Sequence, residues 1–253
     1  MKLITVNMFW AKGSIGKLEQ LSLNSFLYQG YHVRLWSYDK SLNIPQGVEL
    51  VDAANILSED LIFYNKQGSI ASFSDLFRYK LLDEQGGLYV DTDVIALKPA
   101  SQLPKYPFIV TERVQYGYLK KILGKRFSYM ITNNILYNPN PNKGDLINLA
   151  YVFSNAFQKD CVYFSELGPK LLTAIHKIYP HHGYKIMSPV FANDINYWDC
   201  PNKLLKNKFL KISKDSHFLH CYNERWRISN YNKELDFPAN SILHKIEKNI
   251  LNK

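Results

Sequence analysis

The sequence predicts an α/β fold, in which helices flank a β-sheet. Two observations support this fold class. A strand, a helix and a second strand follow one another within the first 40 residues, as they do at the start of a parallel α/β sheet. Further along the chain, a helix that ends in two glycines leads into a short buried strand over residues 88–90. With 253 residues, 46% of them hydrophobic, the chain can bury the core that such a sheet needs.

Apolar periodicity predicts the elements in order. The first strand covers residues 3–6, and a helix with Leu18, Leu21 and Leu27 on one face stops at Gly30. Further strands are predicted at residues 32–38, 48–51, 88–90, 94–97 and 130–137. Further helices are predicted at residues 72–85, 146–157, 168–179 and 241–251. Residues 113–129, rich in lysine, arginine and tyrosine, are expected to form a loop: a mobile flap, a basic acceptor platform or a plain surface loop.

Asp91 and Asp93 flank Thr92 immediately after the buried strand. In open α/β sheets, ligands bind outside the carboxyl ends of the strands. If this segment is extended, both carboxylates lie on the same side of the chain, and two such groups form an oxygen site for Mn²⁺ or Mg²⁺. Chance also produces Asp-x-Asp pairs, and most isolated pairs are solvated turns. The pair therefore needs support from its surroundings.

The preceding helix supplies such support. Asp75 and Arg78 are three residues apart, so they share a face of the predicted helix. An arginine there can hold a phosphate or a sugar hydroxyl, and a nearby carboxylate can accept hydrogen bonds from sugar hydroxyls. The alternative is an ion pair within the helix. Because the helix and the acidic pair lead into one crevice, the sequence favours a ligand site.

Residues 74–79, Leu82 and residues 86–94 together closely resemble the glycosyltransferase sugar-binding region that contains a DXD motif. This is the pattern of glycosyltransferase family 32, which includes capsular polysaccharide synthesis proteins and is distantly similar to clostridial glucosylating toxins. The resemblance implies a GT-A type fold, a Rossmann-like mixed sheet flanked by helices. It also implies a nucleotide-sugar donor, usually UDP-linked, a Mn²⁺ or Mg²⁺ cofactor, and retention of anomeric configuration.

The resemblance assigns roles residue by residue. Asp91 and Asp93 match the motif that holds a metal and the donor diphosphate, while Asp75 and Arg78 match positions that contact the donor sugar and phosphate. These four are the candidate catalytic residues. The candidate substrate-binding residues are Phe9, Trp10, Asp75, Arg78, Tyr79, Thr92, Asn133, Gly168 and Trp226.

Outside the acidic motif the resemblance is weaker. Trp10 is similar to the aromatic residue that stacks on uracil, and its alternative is a core tryptophan. His220 resembles a late histidine that serves as a third metal ligand or a phosphate contact, and its alternative is a structural histidine. Trp226 resembles the tryptophan that closes this motif, but Arg225 stands where the family often has a small hydroxyl residue.

Composition limits the partners and the compartment. The net charge of +9 suits an anionic partner such as a nucleotide diphosphate or an anionic membrane, although a solvated lysine-rich surface explains it equally well. The chain lacks a known nucleic-acid motif, and we expect no nucleic-acid partner. No stretch approaches the ~18 apolar residues of a membrane span, and Asn7 interrupts the apolar run that a signal peptide needs. Three cysteines without paired spacing indicate a reducing compartment, so we expect a cytoplasmic protein.

The leading hypothesis is a retaining transferase that uses a UDP-sugar and an oligosaccharide or lipid-linked glycan acceptor. Glu166, Asn133 and Asp75 are candidates for stabilising the positive charge at the sugar. One domain is expected over residues 1–253, with a nucleotide-sugar-binding half (1–100), an acceptor-side half (101–237) and a basic helix (238–253) that either rests on an anionic membrane or packs on the core. The alternatives are a nucleotide-sugar hydrolase and a basic nucleic-acid or membrane-surface binding module.

Overall fold

The computed structural model describes residues 4–115, 127–157, 159, 162–232 and 234–251. The strands in this part of the chain are β1 (Thr5–Phe9), β2 (His32–Ser37), β3 (Glu49–Asp52), β4 (Gly87–Val90), β5 (Val94–Ala96), β6 (Phe108–Gln115), β7 (Phe127–Asn138), β8 (Lys185–Met187) and β9 (Phe218–His220). The α-helices are α1 (Lys17–Tyr28), α2 (Ala71–Glu84), α3 (Leu146–Ala156), α4 (Leu171–Ile178), α5 (Asn202–Lys206), α6 (Asn223–Ile228) and α7 (Ile242–Leu251). A π-helical turn at Glu166–Lys170 precedes α4.

Seven strands form one mixed sheet in the order β3-β2-β1-β4-β7-β6-β8. Strands β1 to β4 pair in parallel, whereas β7 is antiparallel to both of its neighbours, β4 and β6. A separate two-stranded sheet joins β5 to β9. The predicted fold class, an α/β fold with a mixed sheet flanked by helices, is confirmed.

Alternation along β1 shows how the sheet separates two apolar layers. Val6 and Met8 point to a layer that includes Leu23 and Phe26 of α1. Phe9 points to the opposite layer, which includes apolar side chains of α2, α3 and α4. Because both faces are covered by helices, the central strands are buried, and polar groups are concentrated at the strand ends.

A third apolar cluster lies between α1 and the C-terminal segment and contains Trp226, Phe237 and Leu243. Ile246 of α7 packs against this cluster, and Lys17 of α1 lies 3.2 Å from Glu247 of α7. The apolar face of α7 is therefore used within the protein, as the core-packing alternative for the basic helix requires. No helix in the described part of the chain is both long and apolar enough to cross a membrane.

Two sequence predictions need correction. The first strand, Thr5–Phe9, extends beyond the end predicted at residue 6, because the Asn7 amide is buried and bonded: its Oδ1 accepts from the Trp36 indole at 2.9 Å. The predicted first residue of this strand, Leu3, lies outside the described residues. The loop predicted at 113–129 is strand at both ends, since residues 113–115 belong to β6 and 127–129 to β7. The rest of that loop, like Cys161, lies outside the described residues, while Cys200 and Cys221 are buried free thiols.

Candidate active site

A cavity of about 440 Å³ opens where β1 and β4 end. The segment from Phe9 to Lys12 lines one side of it, and the turn from Asp91 to Asp93 lines another. The chain from His220 to Glu224 contributes a further wall. This is the sheet edge at which α/β folds bind ligands, so the acidic pair lies at the position that the sequence predicts for a site.

The acidic pair sits on a turn, not on extended chain as expected. The Val94 amide donates to the Asp91 carbonyl at 3.1 Å, which closes the turn directly after β4. The two carboxylates nevertheless converge, and the side chain of His220 joins them from β9. One candidate ligand atom from each of Asp91, Asp93 and His220 lies within 4.8 Å of the others.

The three residues offer a donor set that suits a divalent cation. Oδ1 of Asp93 is buried and has no hydrogen-bond partner among the described residues, although His220 Nε2 lies 3.5 Å away. A buried carboxylate oxygen without a partner is costly unless a ligand completes it. Two carboxylates and one imidazole match the preferences of Mn²⁺ more closely than those of Mg²⁺, which takes oxygen ligands.

Burial and neighbouring charges shift the pKa values of the two carboxylates in opposite directions. Burial raises the pKa of Asp91 to about 6, although the Arg78 guanidinium opposes this shift. Burial also disfavours ionised Asp93, but the positive charge of protonated His220 and the backbone amide of Asn223 stabilise its carboxylate and hold its pKa below the usual range. That amide donates to Asp93 Oδ2 at 2.6 Å. Asp93 is therefore the more strongly ionised member of the pair.

Arg78 is buried and held by several groups at once. Its Nη1 lies 3.0 Å from Asp91 Oδ1 and donates to the Asn133 carbonyl at 2.7 Å, and its Nη2 donates to Ser74 Oγ at 2.9 Å. The predicted ion pair within α2 also exists, but its Asp75–Arg78 distance is longer, at 3.5 Å. Arg78 therefore presents a fixed positive charge beside the acidic turn, at the cavity wall.

Asp75, Tyr79 and Gly168 lie behind the cavity wall and contact Asn133, which lines it. Asn133 Nδ2 donates to Asp75 Oδ1 at 2.6 Å and to the Tyr79 hydroxyl at 3.2 Å. Burial raises the pKa of Asp75 to about 6, against the opposing effects of Arg78 and Asn133. A Cβ on Gly168 would lie 2.8 Å from Asp75 Oδ2, so the close approach explains the glycine. Direct substrate contact by these three residues stays a prediction.

Trp10 and Phe9 differ in exposure. Trp10 lines the cavity and is half-buried, and its indole nitrogen donates to the Gly13 carbonyl at 2.8 Å. Phe9 also reaches the cavity, but most of its ring is buried against Phe77, with the ring centroids 4.2 Å apart. Trp10 is thus the better placed of the two to stack on a flat base, while Thr92 lies in the acidic turn at the cavity wall.

Trp226 is placed away from the main cavity. It is buried in the third apolar cluster, and its indole nitrogen donates to the Cys221 carbonyl at 2.8 Å. It borders a second cavity, also of about 440 Å³, that shares Asn223 and Glu224 with the first. Its predicted role in substrate binding stays a prediction, and its observed contact supports the chain that carries His220.

Four further residues, which were not predicted from the sequence, shape the site: Glu112, Asn193, Tyr222 and Asn223. Glu112 and Tyr222 line the cavity, and burial raises the pKa of the Glu112 carboxyl. Tyr222 adopts a positive φ of 52°, which turns the chain so that the Asn223 amide faces Asp93. The sequence carries no local signal for these positions, because their effect on the site depends on contacts between segments distant in the chain.

The chain was compared with known protein families. Residues 17–109 match the family described as the glycosyltransferase sugar-binding region containing a DXD motif. This segment is similar to a glycosyltransferase sugar-binding region. The matched segment includes Asp75, Arg78, Asp91 and Asp93, and the resemblance found in the sequence is confirmed there. A search of curated proteins gave no match.

Solved structures of glycosyltransferases are similar to this chain at low identity. The PaToxG glycosyltransferase is 18% identical, with a TM-score of 0.44 and 70% of each chain covered. The apo glycosyltransferase GlyE of Streptococcus pneumoniae is 15% identical, with a TM-score of 0.48, and the apo bifunctional glycosyltransferase WbbM is 11% identical, with a TM-score of 0.46. The match to GlyE covers 100% of this chain and 63% of GlyE, and that to WbbM covers 99% and 50%.

Proposed function

We propose that this chain is a metal-dependent, retaining glycosyltransferase that moves a hexose or N-acetylhexosamine from a UDP-linked donor to a glycan acceptor. The process would be bacterial surface polysaccharide assembly, such as capsule synthesis. One observation carries the proposal: a single cavity at the carboxyl end of β4 brings together Asp91, Asp93 and His220, with Arg78 and Trp10 on its walls. The family match over residues 17–109 supports it.

The donor would lie across the cavity, with its base at Trp10 and its diphosphate at the acidic turn. Asp91, Asp93 and His220 would hold Mn²⁺ or Mg²⁺. The bound ion would neutralise the charge that develops on the departing nucleotide diphosphate. Arg78, already fixed beside Asp91, would add a second positive charge on the same side.

Transfer with retention would place the acceptor hydroxyl on the face that the diphosphate leaves. The bond from the anomeric carbon to the diphosphate oxygen breaks, the bond to the acceptor oxygen forms, and the acceptor proton passes to the departing diphosphate. Of the three candidates for stabilising the sugar cation, Asn133 lines the cavity and Asp75 lies behind it. Glu166 accepts from the Tyr163 amide at 2.7 Å and is not among the lining residues, so the placement favours Asn133.

The second cavity offers room for the acceptor. It adjoins the first through Asn223 and Glu224, and Tyr231 and Asn232 lie on its wall. An aromatic ring beside amide and carboxylate groups suits a carbohydrate, which has apolar CH faces and a rim of hydroxyls. An oligosaccharide or lipid-linked glycan acceptor would extend along the second cavity, with its reacting hydroxyl in the main cavity.

Thermal-shift screening against UDP- and GDP-sugars with Mn²⁺ tests the donor half of the proposal. A donor that binds the folded state raises the melting temperature, and we expect a UDP-sugar to do so only when Mn²⁺ is present. Asp93→Asn should abolish this shift and sugar transfer while leaving the circular dichroism spectrum unchanged, and Asp91→Asn should do the same. The exposed Asp215→Asn is the matched control, expected to behave as the wild type.

Full transfer by Asp93→Asn, or undiminished turnover in excess chelator, would contradict the metal-dependent mechanism. Product analysis with and without a candidate glycan separates transfer from hydrolysis. A hydrolase would release free sugar at the same rate in both samples.

A further inference from the structure

Behind His220 lie three buried polar side chains, from two segments of the fold, that are hydrogen-bonded to one another. Asn193, which is 1% exposed, faces the His220 ring, with its Oδ1 3.1 Å from Nδ1. Asn134 and Thr132 of β7 complete the set. The other ring nitrogen of His220, Nε2, points to Asp93 Oδ1 and the acidic turn. His220 therefore connects this polar set to the candidate metal site.

The hydrogen bonds determine which way the Asn193 amide is oriented. Its nitrogen donates to the Thr111 backbone carbonyl at 3.0 Å, and a carbonyl oxygen can only accept. Its oxygen accepts from Asn134 Nδ2 at 3.1 Å, while Thr132 Oγ1 donates to Asn134 Oδ1 at 2.6 Å. Exchanging the oxygen and nitrogen of Asn193 would set two acceptors against each other at Thr111. The atom that faces His220 is therefore an acceptor.

An acceptor at Nδ1 requires that this ring nitrogen carries the proton. In the neutral imidazole only one nitrogen is protonated, so the lone pair is then on Nε2, which lies 3.5 Å from Asp93 Oδ1 and makes no hydrogen bond to it. The backbone reinforces this arrangement, because the His220 amide donates to the carbonyl of Ala192, next to Asn193, at 3.0 Å.

We propose that Asn193 is a positioning residue that holds His220 in the Nδ1-protonated tautomer and so presents Nε2 as a ligand for the divalent cation. The inference rests on the proposed metal site, because a free Nε2 lone pair has a use only if an ion binds there. Partners of this kind behind a metal-ligating histidine fix its ring orientation and its tautomer.

The first measurement uses the metal-free protein. Long-range ¹H–¹⁵N correlation spectra report which ring nitrogen carries the proton, and they are recorded at alkaline pH, where the imidazole is neutral. We expect protonated Nδ1 and unprotonated Nε2 in the wild type. Asn193→Ala should mix the tautomers or shift the proton to Nε2. If the spectra of the wild type show the His220 proton on Nε2, that result alone overturns the proposal, and no variant is needed.

The second measurement is Mn²⁺ binding by calorimetry. Asn193→Ala should raise the Kd for Mn²⁺ by about 10- to 100-fold. Asn138→Ala is the matched control. Like Asn193, Asn138 is a buried asparagine whose side-chain nitrogen faces a backbone carbonyl, but it lies in β7 and its partner, the Leu82 carbonyl, is away from His220. The control should keep both the tautomer and the Kd.

Failure of the proposed role of Asn193 can be distinguished from failure of the proposed metal site. An unchanged tautomer and an unchanged Kd in a folded Asn193→Ala would overturn the role of Asn193 while leaving the metal site standing. A wild type that binds no Mn²⁺ would contradict the proposed metal site, whereas the spectra of the metal-free protein decide the effect of Asn193 on His220 independently.

Discussion

Gly168 illustrates how a residue at the site can act through its lack of a side chain. It lies against the hydrogen bond between Asn133 and Asp75, and a Cβ there would come within 2.9 Å of Asn133 Nδ2. The sequence resemblance marked Gly168 as a substrate-binding position. Its geometry shows that it leaves space for a pair of side chains, one of which lines the cavity, and its direct contact with substrate stays a prediction.

We therefore predict that Gly168→Ala lowers kcat and destabilises the fold by about 1–3 kcal/mol, because the added methyl overpacks the Asp75–Asn133 contact. Urea unfolding and transfer kinetics measure the two effects. Gly183→Ala is the control: this glycine has a φ of +83°, so alanine is strained there, but its Cβ would meet nothing within 4 Å and it is not a residue of the site. It should lose stability with kcat unchanged. Wild-type kcat and stability in Gly168→Ala would refute the packing argument.

Helix α4 does not line the cavity, but it belongs to a region whose stability we expect to depend on pH. It ends near a histidine pair in which His176 Nδ1 lies 3.0 Å from His182 Nε2. His182 is buried and accepts the Tyr184 amide at its Nδ1. Burial lowers the pKa of His182 below its ordinary value of 6.5, and the charge of His176 acts in the same direction. This corner of the fold therefore favours a neutral histidine.

The lowered pKa of His182 determines how the stability of the fold changes with pH. Because the pKa of His182 is depressed in the folded state, the unfolded chain binds the proton more tightly, and stability is lost as the pH falls below about 6.5. We predict that His182→Asn, whose side-chain oxygen can still accept from Tyr184, reduces this loss. The free energy of unfolding in urea, measured on both sides of this pH, tests it. His181→Asn, at the exposed neighbouring position, should keep the wild-type slope; an equal slope in His182→Asn would contradict the assignment.

At the scale of the whole molecule, α7 closes the third apolar cluster. Leu243 is fully buried, and Lys245 and Lys248 face the solvent. Burying one leucine side chain contributes about 2 kcal/mol, so the helix is a stabilising part of the fold. The same apolar face cannot lie in a membrane while it packs on this cluster.

We predict that removal of residues 238–253 lowers the melting temperature and exposes apolar surface, whereas Lys245→Glu with Lys248→Glu leaves the melting temperature close to that of the wild type. Circular dichroism melting and dye binding measure these outcomes. Flotation with anionic liposomes should be the same for the wild type and the double variant. Reduced flotation of the double variant, or a truncated chain that melts like the wild type, would instead favour the membrane-resting helix.

Local sequence signals predicted much of the region that we propose binds the nucleotide-sugar donor. The predicted helix at 72–85 is α2 within one residue at each end, and Gly86 and Gly87 adopt positive φ as expected. The spacing of Asp75 and Arg78 and the position of Asp91 after β4 are also as predicted. These features depend on helical periodicity, glycine conformation and chain continuity, all of which act over a few residues.

Contacts between distant segments could not be predicted in the same way. Strand β6 was missed because its apolar start is followed by Glu112 and Arg113, and Arg113 bonds to the Asp194 carbonyl at 3.2 Å. The histidine at position 220 was a candidate ligand, but no sequence pattern showed that Asn193 would face its other ring nitrogen. Such pairings depend on strand register and sheet order, which local periodicity does not specify.

The sequence by itself determined the α/β class, the helix that carries Asp75 and Arg78, and the acidic pair at the end of a buried strand. Tertiary structure alone decided that the pair sits on a turn, that Asp93 receives an amide from Asn223, 130 positions away, and that His220 completes the group. The physical reason is that the two kinds of feature depend on interactions of different range along the chain. Backbone preferences are set by neighbours in the chain, whereas the site is assembled by the pairing of β5 with β9 and by the packing of side chains from distant segments.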